Sequence, residues 1–219
     1  MLLKGENLSF HYQSGNRQIL NDFSLAIESG EIVGLRAPSG FGKTTLCKIL
    51  AGYIMPESGQ VTLDGKPLQA YSGYCPVQMI WQHPELVINP RLRMFQVLKE
   101  AGDIDDRIIQ GLGIQEGWLR RYPMELSGGE LQRFCIARAL VSKTKFLLAD
   151  EISTMLDLIT QAQIWKFLEE EMAYRNLGVL IVSHSEPLLQ KLCSRHLDMS
   201  TDACWEQAHK RRKTQKAPV

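Results

Sequence analysis

No apolar run in this 219-residue chain is long enough to cross a bilayer. A spanning helix needs about 20 mainly apolar residues, and the longest uncharged stretch, Pro67 to Pro84, is interrupted by Gln, Pro and Gly. Met1-Leu2-Leu3-Lys4 opens no apolar segment of the signal-peptide kind. A cytoplasmic chain is expected, with any membrane role borrowed from a partner. Net charge is nearly absent as well: 25 Lys plus Arg stand against 24 Asp plus Glu, leaving +1. That balance offers no general attraction to nucleic acid. The one basic cluster lies from Ser200 onward, where Lys210, Arg211, Arg212, Lys213 and Lys216 face Asp202 and Glu206. Residues 200–219 read as a solvated tail. The cysteines number 5, an odd count without paired metal-ligand spacing. Reduced thiols packed as small apolar groups are expected, rather than a disulfide framework.

What is present is a globular composition, 44% hydrophobic and 22% charged, suited to one domain over residues 1–199. Phe23-Ser24-Leu25-Ala26-Ile27 alternates with period two, Ser29-Gly30 turns, and Ile32-Val33-Gly34-Leu35 follows as a strand. Lys43 to Ala51 reads as a helix that Gly52 ends. Pro56 to Gly59 turns into the strand Gln60 to Leu63, Asp64-Gly65 is a hairpin signal, and Val77 to Trp81 is another strand. From about His83 to Ser142 helical patterns take over, at Met94 to Ala101, Ile104 to Leu112 and Glu130 to Leu140. Phe146-Leu147-Leu148-Ala149 and Val179-Leu180-Ile181-Val182 are unbroken apolar runs, as parallel strands covered on both faces require. Gln161 to Tyr174 between them has helical period. An α/β core with a helical insertion is predicted.

Pro38-Ser39-Gly40-Phe41-Gly42-Lys43-Thr44-Thr45 leaves a strand and opens a helix, the context a phosphate-binding loop requires. Its glycines let successive N–H groups turn toward phosphate, and the helix N-terminus adds partial positive charge. Lys43 would reach the β- and γ-phosphates while the Thr44 hydroxyl would ligate Mg²⁺. Ala37 stands where the motif usually has its first glycine, which costs stability only if that position needs a positive φ. Asp150-Glu151 closes the strand that begins at Phe146. There Asp150 can hold hydrated Mg²⁺ and Glu151 can polarise a water; taken alone, such a pair is more often a solvated strand end, and paired with Lys43 and Thr44 it becomes a nucleotide site. Leu126-Ser127-Gly128-Gly129-Glu130-Leu131-Gln132-Arg133 reads as a helix start, with Ser127 as cap and Glu130 completing a capping box. Gly128 and Gly129 leave backbone N–H groups open to an anion. A second such helix start beside one phosphate loop suggests service to another subunit's nucleotide.

In this order the motifs resemble those of the nucleotide-binding subunit of ATP-binding cassette (ABC) transporters, over nearly the whole chain up to about Asp198. The resemblance implies a P-loop NTPase core with a mainly parallel sheet, an N-terminal antiparallel β subdomain and an α-helical subdomain inserted at about residues 84–142. It implies ATP and Mg²⁺ as ligands. The family's glycine-rich loop falls on Ala37 to Thr45, so Ser39, Gly40, Phe41, Gly42, Lys43, Thr44 and Thr45 would hold the phosphates. Its signature falls on Leu126 to Arg133, so Ser127, Gly128, Gly129 and Glu130 would meet nucleotide bound by a second copy. The adenine-stacking aromatic falls on Tyr12 and the glutamine-loop residue on Gln82. The loop after the catalytic glutamate falls on Thr154-Met155-Leu156-Asp157, with Asp157 near the nucleotide, and the switch histidine falls on His184. Implied catalytic residues are Glu151, His184, Gln82 and Lys43; implied metal ligands are Thr44, Gln82 and Asp150. Tyr12, Gln82 and His184 each have an ordinary structural reading singly, and their joint spacing overturns it. Ile152 replaces the family's proline and Met155 a small residue, both near the expected dimer contact.

Val77-Gln78-Met79-Ile80-Trp81-Gln82-His83-Pro84, followed by Ile88-Asn89-Pro90-Arg91, is similar to the dipeptide, oligopeptide and nickel importer branch. The implied protein is an ATP hydrolase driving peptide- or nickel-type uptake, peripheral on the cytoplasmic face of the cell membrane. Implied partners are transmembrane permease subunits, a second cassette in a homo- or heterodimer, and an extracytoplasmic solute-binding protein, with no nucleic acid. The competing reading is an ABC-type ATPase of a soluble, non-transport complex. Lys43 and Ser127 are too close in sequence for the long coiled coils of chromosome types, and ribosome types usually carry two cassettes.

Overall fold

Five strands form a parallel sheet in the order β6 (Val77–Ile80), β7 (Phe146–Asp150), β8 (Gly178–Val182), β3 (Ile32–Arg36) and β9 (Arg195–Asp198). The structure is a computed structural model that describes residues 1–12, 18–153 and 156–199. Thr154, Met155 and the basic tail lie outside the described residues. The unbroken apolar runs become intelligible once the pleat is applied. Phe146 and Leu148 of β7 join one buried cluster, while Leu147 and Ala149 join another on the opposite face. Leu180 and Val182 of β8 are divided from Val179 and Ile181 in the same way. Each strand therefore feeds two cores, so no position can be polar until the strand ends.

The first of those cores is closed by a four-stranded antiparallel sheet in the order β2 (Gln18–Glu28), β1 (Leu2–His11), β4 (Ser58–Leu63) and β5 (Lys66–Pro67), with helix α1 (Lys43–Leu50) between the layers. The turn from β4 to β5 has φ 50 at Asp64 and φ 77 at Gly65. Two successive left-handed residues match the twist of a two-residue hairpin, and Asp64 Oδ1 also accepts from Leu2 N at 2.7 Å.

On the other face lie α5 (Gly128–Ala139), α6 (Leu158–Arg175) and α7 (Glu186–Leu192), together with the shorter α2 (Met94–Ala101), α3 (Asp106–Gly111) and α4 (Glu116–Leu119). Helix starts follow the caps. Asp105 accepts from Arg107 N and Asp157 from the N–H groups of Ile159 and Thr160. These caps put the start of α3 later, and that of α6 earlier, than the apolar period alone predicts. The inserted helices are tied to the core where α3 meets α6. The Phe167 ring lies over Gly111 so closely that a Cβ there would come within 2.1 Å. Arg107 forks onto the buried carboxylate of Glu171, Nη1 to Oε1 at 3.0 Å and Nη2 to Oε2 at 3.2 Å, and its guanidinium lies 4.3 Å from the Tyr174 ring centroid. Among the described residues Cys47, Cys75, Cys135 and Cys193 are free thiols, and burial pushes Cys135 up to about 12.

Candidate active site

The loop from β3 into α1 runs off the C-terminal edge of the parallel sheet. Gly40 and Gly42 have φ 80 and φ 88. At Gly42 a Cβ would come within 2.6 Å of Ile19 Cγ2, whereas at Gly40 it would meet nothing within 4 Å. Gly42 is thus required for both conformation and space. Ala37 is not among the left-handed residues, so the alanine in place of the first glycine carries no strain. Lys43 is 7% exposed, and its ammonium donates to Ala37 O at 2.9 Å and Pro38 O at 3.3 Å. A buried cation held by the loop's own carbonyls is placed to exchange them for phosphate oxygens.

Parallel pairing of Asp150 with Val182 brings the end of β7 beside the loop that carries His184. Glu151 follows with φ 49, its N–H donating to Val182 O at 3.0 Å. A left-handed non-glycine residue costs about 1–2 kcal/mol, and here the bend turns the side chain into a cluster. Glu151 Oε2 accepts from Gln82 Nε2 at 3.0 Å, while Oε1 lies 2.9 Å from His184 Nε2 and 3.9 Å from Lys43 Nζ. Lys43, Gln82 and His184 converge on the Glu151 carboxylate, which brings together the four residues expected to be catalytic.

Asp150 is 1% exposed, and its Oδ2 is buried without a hydrogen-bond partner. Burial raises its pKa, and the Glu151 charge adds to that; a hydrogen bond from the Thr44 side chain and the charge of Lys43 act in the opposite direction. An orphaned carboxylate oxygen beside a threonine hydroxyl is the donor set of a hard cation such as Mg²⁺. The amide nitrogen of Gln82 is spent on Glu151, so its oxygen is the atom it could offer a cation.

The remaining expected site residues are arranged as follows. Tyr12 is partly exposed, its hydroxyl 3.2 Å from Thr45 Oγ1 and its ring edge-on to Phe10 at 5.0 Å. Thr45 is buried, and Ser39, Gly40 and Phe41 are exposed along the loop. Ser127 and Glu130 form the expected reciprocal cap, Glu130 N to Ser127 Oγ at 3.3 Å and Ser127 N to Glu130 Oε2 at 2.7 Å. Ser127 and Gly128 are exposed, and Gly129 is half-buried against Leu156. Asp157 spends its carboxylate capping α6, with Ile159 N at 3.1 Å and Thr160 N at 2.9 Å. Ile152, the residue in place of the family's proline, packs its side chain into the core at 3% exposure.

The family model described as "ABC transporter" matches residues 20–154. The chain belongs to this family. It is 31% identical to "Nickel import ATP-binding protein NikE" of Escherichia coli O6:K15:H31 (strain 536 / UPEC), over 90% of this chain and 83% of that one. It is 30% identical, with the same coverage, to the protein of that name from Shigella dysenteriae serotype 1 (strain Sd197). Two solved structures share the fold. One is a dimeric post-hydrolysis state of the ATP-binding cassette MJ0796 bound to ADP and Pi, with TM-score 0.78 and 24% identity, covering 90% of this chain and 93% of that chain. The other is the ATP-binding subunit of an ABC transporter, with TM-score 0.77 and 21% identity, covering 99% and 95%. As an ABC cassette, this chain is an ATP-binding, ATP-hydrolysing transport ATPase.

Two features of this ABC ATPase escape the motifs. Gln82 follows Trp81, whose ring meets Tyr53 edge-on at 5.2 Å and carries Lys48 Nζ 5.1 Å from its centroid. Trp81, Tyr53, Tyr74, Val87, Glu100 and Arg138 line a cleft of about 410 Å³. The other feature is an ion pair between Arg36, at the end of β3, and Glu186, at the start of α7. A cation closing an otherwise apolar strand was the only signal of it in the sequence.

Proposed function

We propose that the chain powers solute uptake through separate membrane permease subunits by hydrolysing ATP at a site shared between two cassettes. The convergence of Lys43, Gln82 and His184 on the Glu151 carboxylate carries this reading. Tyr12 stacks on adenine, and Ser39 to Thr45 wrap the phosphates with Lys43 neutralising the β- and γ-oxygens. Thr44, Asp150 and Gln82 hold Mg²⁺, which when bound neutralises charge on the terminal phosphates. Glu151 takes a proton from the water that attacks the γ-phosphorus, and His184 contacts the γ-phosphate. Ser127, Gly128, Gly129 and Glu130 of a second cassette, identical or related, close on that phosphate, with Asp157 near the same seam. The exposure of Ser127 and Gly128 supports this, since a lid must be free to meet its partner.

Among the described residues no helix is long and apolar enough to cross a membrane. A permease is thus the required partner, and the aromatic cleft beside Gln82 supports a docking face that senses the nucleotide. The 31% identity to nickel import subunits favours nickel-type uptake, with peptide uptake the sibling case. An extracytoplasmic binding protein would deliver the solute, and the cassette would sit on the cytoplasmic membrane face. The test is uptake of radiolabelled nickel and of a labelled dipeptide in cells lacking the chain. Loss of one uptake, restored by the wild-type chain but not by Glu151→Gln, supports the reading. Unchanged uptake of both, with the chain recovered in a soluble complex, overturns it in favour of a non-transport ATPase.

A further inference from the structure

Arg36 lies at the exit of β3, a strand held between β8 and β9, and the phosphate loop begins at the next residue. Side chains alternate along a strand, so Arg36 projects on the same face as Gly34. A Cβ on Gly34 would come within 3.0 Å of Cys193 Sγ and 3.3 Å of Leu189 Cδ2. Helix α7 therefore rests directly on β3 at that point. At the other end of α7, Glu186 Oε1 takes both the Arg36 guanidinium and, at 2.8 Å, the Gln190 amide. Glu186 is separated from His184 by Ser185 alone, and the link is tight, with Ser185 N donating to Ser183 Oγ at 3.0 Å.

The backbone of the same residue is also anchored. Arg36 O accepts from Met199 N at 3.0 Å, and the adjoining Ala37 O holds the Lys43 ammonium at 2.9 Å. One residue thus joins the phosphate loop to the helix that begins just after the histidine. A partly exposed ion pair contributes little to global stability; what it fixes is geometry.

We propose that Arg36 is a positioning residue of the ATPase site, its ion pair with Glu186 fixing the start of α7 and so holding His184 against Glu151 and a bound γ-phosphate. This rests on the reading that His184 contacts the γ-phosphate. The brace acts on the triphosphate and leaves the diphosphate untouched, so breaking it removes discrimination between the two.

The experiment is calorimetric titration of the full chain, in Mg²⁺, with ADP and with adenylyl imidodiphosphate. The variants are Glu186→Gln, Arg36→Glu, the charge-exchanged pair Arg36→Glu/Glu186→Arg, and His184→Ala as reference. Glu186→Gln, which alters one partly exposed atom, should weaken the triphosphate analogue about fivefold to tenfold, the effect of one misplaced charge-assisted hydrogen bond. ADP affinity should stay within about twofold, and the charge-exchanged pair should recover discrimination. Wild-type discrimination in Glu186→Gln and Arg36→Glu, with His184→Ala losing it, overturns the brace and leaves the site reading intact. Equal weakening of both nucleotides, or no recovery in the exchanged pair, overturns the brace as well. Wild-type discrimination in His184→Ala overturns the reading on which the brace rests.

Discussion

Glu151 Oε1 and His184 Nε2 meet at 2.9 Å although their residues belong to loops leaving two different strands. The parallel register accounts for the meeting: Asp150 pairs with Val182, so the residues just beyond each strand end emerge side by side. Lys43 and Gln82 reach the same carboxylate, which is thus shared by all three side chains.

Replacing that carboxylate is the most direct test of chemistry. Glu151→Gln keeps the shape and an acceptor oxygen but removes the proton acceptor. ATP binding should remain within a few-fold of wild type while turnover falls by about 100-fold or more, as expected when a general base is lost. Phosphate release measured beside nucleotide binding separates the two, and wild-type turnover in this variant would exclude Glu151 as the base.

Asp150 should behave in the opposite way, trading stability for function. Its pKa is raised by burial first and by Glu151 second, so the folded chain favours the protonated acid. That contribution is fully present below the ordinary aspartate range and is lost as pH rises through the raised value. At neutral pH the ionised group is a burden. Asp150→Asn should stabilise the nucleotide-free chain by about 1 kcal/mol, with the gain shrinking toward pH 3, while weakening Mg²⁺-dependent ATP binding. Urea unfolding at both pH values, with and without Mg²⁺ and ATP, checks the sign.

Asp157 gives the reverse pH signature. The backbone N–H and side chain of Thr160, then the N–H of Ile159, hold its carboxyl below the usual range. A lowered pKa adds stability that is present above the unfolded value and lost as pH falls through the folded one. Asp157→Ala should lower Tm at pH 7, the difference narrowing below about pH 4, and Asp157→Asn, which still caps, should lower it less. Equal losses at both pH values would show that the carboxylate does not cap α6.

The tie between α3 and α6 predicts an asymmetric cost. Arg107→Met leaves the Glu171 carboxylate buried without its fork, which should cost about 2 kcal/mol, below the range for a fully buried pair because Arg107 is half exposed. Arg107→Met/Glu171→Leu should recover most of it. Denaturant midpoints of the single and double variants decide between an ion pair that stabilises and one that merely fills space.

Gly42→Ala should fail outright, since the added methyl combines a left-handed backbone with a 2.6 Å approach to Ile19. Nucleotide binding should be lost, whereas Ala37→Gly should leave it unchanged. Binding titrations of the two variants distinguish conformational need from motif habit.

The fold was legible where burial imposes a period. The runs at Phe146 and Val179 could only be strands with two covered faces, and Ser127 with Glu130 formed the cap that its spacing implied. Boundaries slipped where a polar cap, not the apolar pattern, set the start, as at Asp105 and Asp157. The candidate site's residues were named by the family resemblance, yet their mutual contacts were not. Contacts depend on strand register and on the left-handed bend at Glu151, which no local propensity announces. The bearing of Ile152 was likewise hidden, because a strand-end residue can turn to the core or away from it.

Ile152 has a consequence for how the site can respond. With its side chain sunk in the apolar cluster, Ile152 anchors the main chain just after Glu151. For Glu151 to reach a water over a bound nucleotide, the contacts it must give up are those with His184 at 2.9 Å and Gln82 at 3.0 Å.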